Sequence, residues 1–165
     1  MRQVDPASRY HRCLRPSPIS SLPQSAWGLL DAVIFNVLIC NSDSHMWTAK
    51  NCSVLIGAGG TAKLAPYDLI CAAIYDRVDQ HLPQNIGGSF LAADLHGKQW
   101  KAFAEETGLS PASTVKRVGQ LAAKVDQVCG DVPQQIVTGA GDLARVLERI
   151  VHEGRKRCRR ILTQL

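Results

Sequence analysis

A chain of 165 residues that is 45% hydrophobic and 20% charged has the make-up of one globular domain with its own core, and its length leaves little room for a second. Its six cysteines, at positions 13, 40, 52, 71, 129 and 158, contain no CxxC and no Cys/His pair at zinc spacing. That scatter predicts free thiols in a reducing compartment and argues against a disulfide framework. The net charge of +5 is uneven: residues 26–110 hold five Lys or Arg against eight acids, and residues 111–165 hold ten against five.

In chain order, residues 1–25 are rich in Pro, Ser and Arg and lack apolar periodicity, which predicts an irregular or disordered arm. They carry no apolar core followed by a small-residue cleavage site, so no secretory signal is expected. A helix is predicted from Ala26 to Ile39, apolar on nearly every face and hence buried. The apolar run Ala26–Cys40, about 15 residues, includes Asp31 and Asn36 and is too short and too polar to span a bilayer. A cytoplasmic location without membrane attachment is the expectation.

A polar loop from Asn41 to Asn51 follows. Two short strands, Ser53–Ile56 and Thr61–Ala65, are then joined by Gly57-Ala58-Gly59-Gly60 as a hairpin. Pro66-Tyr67-Asp68-Leu69 leads into an apolar stretch ending near Tyr75, and residues 76–97 are loop-like. A helix carrying Trp100, Phe103 and Ala104 on one face should stop at Gly108. Ser110-Pro111 pairs an N-cap with proline at the first helical position. Val115, Val118, Leu121, Ala122, Val125 and Val128 then keep helical spacing, as do Leu143, Val146, Leu147, Ile150 and Val151 in a last helix. The predicted fold is mainly α (α+β): a helical lobe over residues 26–165 with one short β-hairpin at its active edge.

Asn41, Asp43, His45, Lys50, Asn51, Tyr67 and Asp68 form the densest cluster of chemistry-bearing residues. Phosphoryl transfer from a nucleotide needs a carboxylate near the attacking hydroxyl, oxygen ligands for magnesium and a cation near the moving phosphate. Protein kinases supply these from a helix, a loop with Asp and Asn, a hairpin and a loop with a second Asp. The same order stands here. Each residue taken alone is an ordinary turn former or solvated charge.

The motifs also carry a resemblance. Phe35-Asn36-Val37-Leu38-Ile39-Cys40-Asn41-Ser42-Asp43-Ser44-His45 with Ala49-Lys50-Asn51 resembles the FNxLIGNxDxHxKN signature of HipA-type serine/threonine kinase toxins. Leu64-Ala65-Pro66-Tyr67-Asp68-Leu69 is similar to that family's LAPxYDL. Ile86-Gly87-Gly88, Trp100 to Ala104 and Gly108-Leu109-Ser110 are similar to its later landmarks. The resemblance implies the C-terminal lobe of a kinase that uses ATP and Mg2+ on protein hydroxyls, with a helix-turn-helix antitoxin as partner and DNA reached only through it. It implies Asp43 as catalytic carboxylate, His45 as a shaper of the catalytic loop and Lys50 near the phosphates. Tyr67 and Asp68 would lie on the nucleotide side, and Asn51 and Asp68 would be the metal ligands.

Met46-Trp47-Thr48 lengthen the loop, so that Asp43 and Asn51 stand eight positions apart where the signature has five. The expectation is a lobe cut off from an N-terminal half and inactive alone. The alternative is a pseudokinase-like remnant that holds antitoxin or nucleotide without catalysis.

Other signals have plainer readings. Gly57–Lys63 lacks the Walker order and is better read as a hairpin turn. His11, His81, His96 and His152 have no partner at metal spacing. Cys40 and Cys52 are expected to be small buried hydrophobes. The basic run Arg155–Arg160 is read first as the last turns of a helix, whose dipole suits cations, with nucleic acid or an acidic partner as the alternative.

Overall fold

A computed structural model describes residues 23–43, 51–58, 62–136 and 142–165. Helix α1 (Pro23–Leu38) starts at a proline, which lacks the amide that a helix start leaves unpaired anyway. It begins three residues before the predicted Ala26, and most of the expected irregular arm lies outside the described residues. Leu30, Val33, Ile34, Val37 and Leu38 are at most 1% exposed, so α1 is the central element of the core. Each such side chain contributes about 1.5–3 kcal/mol of burial.

The hairpin follows as β1 (Cys52–Ile56) and β2 (Ala62–Pro66), antiparallel, with Cys52 opposite Pro66 and Ile56 opposite Ala62. Both strands lie within one residue of their predicted bounds. Val54, Leu55 and Ile56 are nonetheless 60%, 56% and 80% exposed, so among the described residues this apolar strand has no covering layer.

Helices α2 (Gly97–Thr107), α3 (Pro111–Ile136) and α4 (Asp142–Gln164) complete the lobe. Trp100 and Phe103 of α2 meet edge to face, with ring centroids 6.2 Å apart, inside the core formed with α1. The helix stops where Gly108 turns left-handed at φ 74°. Thr114, Val118 and Ala122 give α3 a buried stripe at four-residue spacing. In α4 Cys158 and Ile161 are buried three residues apart, with Gly154 packed near the Leu38 carbonyl at the end of α1. Outside this stripe the apolar pattern overstates burial: Val128, Leu143 and Val146 are 49%, 59% and 40% exposed.

Much of the basic C-terminal run is spent within the fold. Asp126 of α3 accepts from Arg155 at 3.0 Å and pairs with Arg159 at 3.3 Å, and Lys156 pairs with Glu153 on its own helix. Arg117 of α3 clamps Asp31 of α1 through two nitrogens. The architecture is the predicted one, mainly α with a short hairpin.

Candidate active site

The site is built on the way α1 ends. The Asn41 amide reaches back to the Asn36 carbonyl at 2.9 Å and the Cys40 amide to the Val37 carbonyl at 3.2 Å. Between them Cys40 takes the left-handed conformation at φ 60°. This is a Schellman termination, which satisfies helix-end carbonyls through one residue in the region that favours glycine. A cysteine there costs on the order of 1–2 kcal/mol relative to glycine.

The reversal aims the Asn41 side chain into the lobe, where it is 1% exposed. Its Nδ2 donates to Asn36 Oδ1 at 2.8 Å and to the Asp68 carbonyl at 3.0 Å, while its Oδ1 accepts the Asp43 amide at 3.1 Å. Asn36, 2% exposed, donates its own Nδ2 to the Ala32 carbonyl at 2.8 Å. Two buried asparagines therefore join the loop that carries Asp43 to the segment that carries Asp68. Buried polar groups so satisfied hold one geometry, since any other leaves them unpaired.

Asp68 leaves β2 with φ 58°, a left-handed conformation in a residue other than glycine. The Asn41 bond to its carbonyl holds that conformation. Strain kept in place by its surroundings is frequent at functional sites. The hairpin contributes the other partner. Asn51 precedes β1, its carbonyl accepts the Tyr67 amide at 3.0 Å, and its Nδ2 donates to Asp68 Oδ2 at 3.2 Å. Despite the lengthened loop, the Asn51 and Asp68 side chains stand in contact. Tyr67 beside them is 47% exposed.

Of the predicted site residues, the structure thus brings Asn51 and Asp68 together directly, and ties Asp43 to Asp68 through Asn41. Tyr67 lies next to the pair. His45 and Lys50 lie outside the described residues. Sequence reasoning gave no role to Asn36 and Asn41. Their signal was present as two asparagines at and just beyond the end of an otherwise apolar helix.

The residue types suit a hard cation: an amide side chain and a carboxylate each carry oxygen, the ligand type of magnesium, which takes few protein ligands and keeps water or phosphate for the rest. To ligate beside Asp68, the Asn51 amide would turn its Oδ1 to the place its Nδ2 now takes. Among the described residues no three His, Cys, Asp or Glu side chains gather at metal spacing, so no thiolate or imidazole centre is built there. No described helix is long and apolar enough to cross a membrane.

The family described as HipA-like C-terminal domain matches residues 7–135. A Sinorhizobium fredii protein, Y4mE, whose name calls it a kinase, is 34% identical over 94 residues, which is 56% of this chain and 21% of that protein. The serine/threonine-protein kinase toxin HipA of Shewanella oneidensis is 26% identical over 104 residues, 63% of this chain and 23% of the relative. The chain thus spans under a quarter of either relative's length in these matches. A solved chain in the Shewanella oneidensis complex of HipA, HipB and operator DNA superposes with a TM-score of 0.71 at 24% identity, over 96% of this chain and 35% of that one. At that identity the likeness speaks for the fold.

Proposed function

The chain belongs to the HipA-like C-terminal domain family, and from that membership we propose that it is the phosphate-handling lobe of an ATP- and Mg2+-dependent serine/threonine protein kinase of the toxin–antitoxin type. The observation that carries this reading is the contact between Asn51 and Asp68, with Asp43 fastened to the same segment through Asn41.

In this reading Asn51 and Asp68 hold the cation. Magnesium, when bound, neutralises charge on the phosphates and links nucleotide to protein. Asp43 accepts the proton of the attacking serine or threonine hydroxyl, and its backbone is kept in register by Asn41. Lys50 steadies the phosphates, His45 shapes the loop and Tyr67 borders the nucleotide. The partner is a HipB-like helix-turn-helix antitoxin, with DNA contacted through it, and the setting is the cytoplasm. The support for a HipB-like partner is the fold shared with a chain from a HipA–HipB–DNA complex.

Kinase catalysis is mostly positioning and electrostatic clamping, and the strand lysine and phosphate-covering loop of a kinase come from an N-terminal lobe. The 165-residue chain alone should therefore show no more than traces of phosphotransfer. With a separately produced HipA-type N-terminal lobe it should phosphorylate a protein hydroxyl, and Asp43→Asn should abolish that transfer. Transfer by the unmodified chain that survives Asp43→Asn would refute the role of Asp43. The second reading, a remnant that holds antitoxin or nucleotide without catalysis, draws on the eight-position spacing of Asp43 and Asn51. It would be favoured by nucleotide or antitoxin binding with no transfer even in the presence of the N-terminal lobe.

A further inference from the structure

We propose that Cys40 and Cys71 are a redox pair, converted by hydrogen peroxide into an intramolecular disulfide that fastens the end of α1 to the segment leaving Asp68. The pair is separated by 31 positions in sequence, yet the Cys40 carbonyl accepts the Ala72 amide at 3.0 Å. Both side chains belong to one small buried cluster with Ile74, at 5% and 7% exposure. The Cys40 sulfur also lies 3.7 Å from the Glu153 carbonyl of α4, so it is held from both sides. That Cys40 occupies a left-handed position, where glycine would be unstrained, makes its side chain the unusual member of the helix end.

The environment divides the labour between the sulfurs. The neighbouring Cys40 side chain lowers the Cys71 thiol against the effect of burial, and the amides of Ala73 and Ile74 act in the same direction. The Cys71 side chain, with burial, pushes Cys40 well up. Cys71 is therefore the nucleophile and Cys40 the resolving thiol. The Cys71 thiolate attacks one peroxide oxygen, the O–O bond breaks, and the departing hydroxide takes a proton to leave as water. The sulfenic acid so formed on Cys71 is attacked by Cys40 sulfur, and its hydroxide leaves as a second water with the Cys40 proton. Two thiols lose two electrons and two protons, and one peroxide becomes two waters. Burial raises Cys52, Cys129 and Cys158, the last to about 12, so these thiols stay protonated and slow.

This inference rests on the two thiols and not on the kinase reading. The test uses the full chain, reduced, desalted and treated with hydrogen peroxide, after which free thiols are alkylated and the protein is digested without reductant for mass spectrometry. The expected result is one linked peptide pair, Cys40 with Cys71, the loss of two hydrogens from the intact chain, and full alkylation at Cys52, Cys129 and Cys158. Cys40→Gly suits the left-handed backbone and should keep the fold, so Cys71 should then accumulate sulfenic acid that dimedone traps. Linkage of Cys71 to any other cysteine, oxidation of Cys71 without a Cys40 partner in the unmodified chain, or no reaction at Cys71 would each overturn the proposal.

Discussion

Replacing Asn41 tests whether one buried side chain joins the two halves of the site. Asn41→Ala removes the donor from Asn36 Oδ1 and from the Asp68 carbonyl, and the acceptor from the Asp43 amide. The first of these bonds is fully buried and the other two partly so. A buried polar group deprived of its partner costs about 1–3 kcal/mol and a half-solvated one less, which together suggests a loss of about 2–4 kcal/mol. For a domain of this size the urea midpoint should fall by about 1–2 M. Asn41→Asp is the sharper variant, because it sets an oxygen where the donor had faced two oxygens, and it should destabilise more than alanine does. Circular dichroism in urea, on the reduced chain, measures both. An alanine variant within about 0.5 kcal/mol of the parent, or an aspartate variant as stable as the alanine one, would refute the bridging role.

Two further predictions concern the frame around the site. Gly87 has φ +53° and an added Cβ would meet the Gln99 carbonyl oxygen at 2.0 Å, whereas Gly108 has φ +74° and open space around it. Gly87→Ala should thus cost more than about 2 kcal/mol and Gly108→Ala about 1 kcal/mol, read as a larger fall in Tm for the first; equal falls would contradict the close approach. Asp126 is held below its ordinary 3.8, first by the hydrogen bond from Arg155 and then by the charges of Arg159 and Arg155. A lowered carboxyl stabilises the fold above its ordinary value and loses that contribution as pH falls through the lowered one. The Tm deficit of Asp126→Asn should therefore be greatest near neutral pH and shrink below pH 3.8, and a deficit that grows with acid would contradict the pairing.

The helices were legible because burial repeats every three or four residues along them: Trp100 with Phe103 and Ala104, or Cys158 with Ile161, follow directly from that rule. The hairpin was legible from its glycines, though its exposure was not. Val54-Leu55-Ile56 is exposed in the described structure; an apolar run reveals that a surface is to be covered and not what covers it. The resemblance, which makes Asn51 and Asp68 both metal ligands, implied that the two side chains would lie close, and they stand in contact. The means by which Asp43 is joined to them was not anticipated. Asn41 acts through contacts to Asn36, Asp43 and Asp68 that depend on the left-handed turn at Cys40, and no periodicity encodes such a turn when glycine is missing from it. Cys40 and Cys71 were likewise invisible as a pair, since each alone looks like a small core residue.

The central claim is that Asn51 and Asp68 hold a divalent cation beside a nucleotide. Manganese can stand in for magnesium at an oxygen site and broadens the NMR signals of nuclei close to it. In a titration of the isotopically labelled 165-residue chain with manganese in the presence of ATP, backbone amides at Asn51, Tyr67 and Asp68 should broaden first, and Asp68→Asn should remove that pattern while leaving the helical amides unchanged. Broadening centred elsewhere, on Asp76 and Asp79 for instance, or a pattern indifferent to Asp68→Asn, would contradict the assignment of this site.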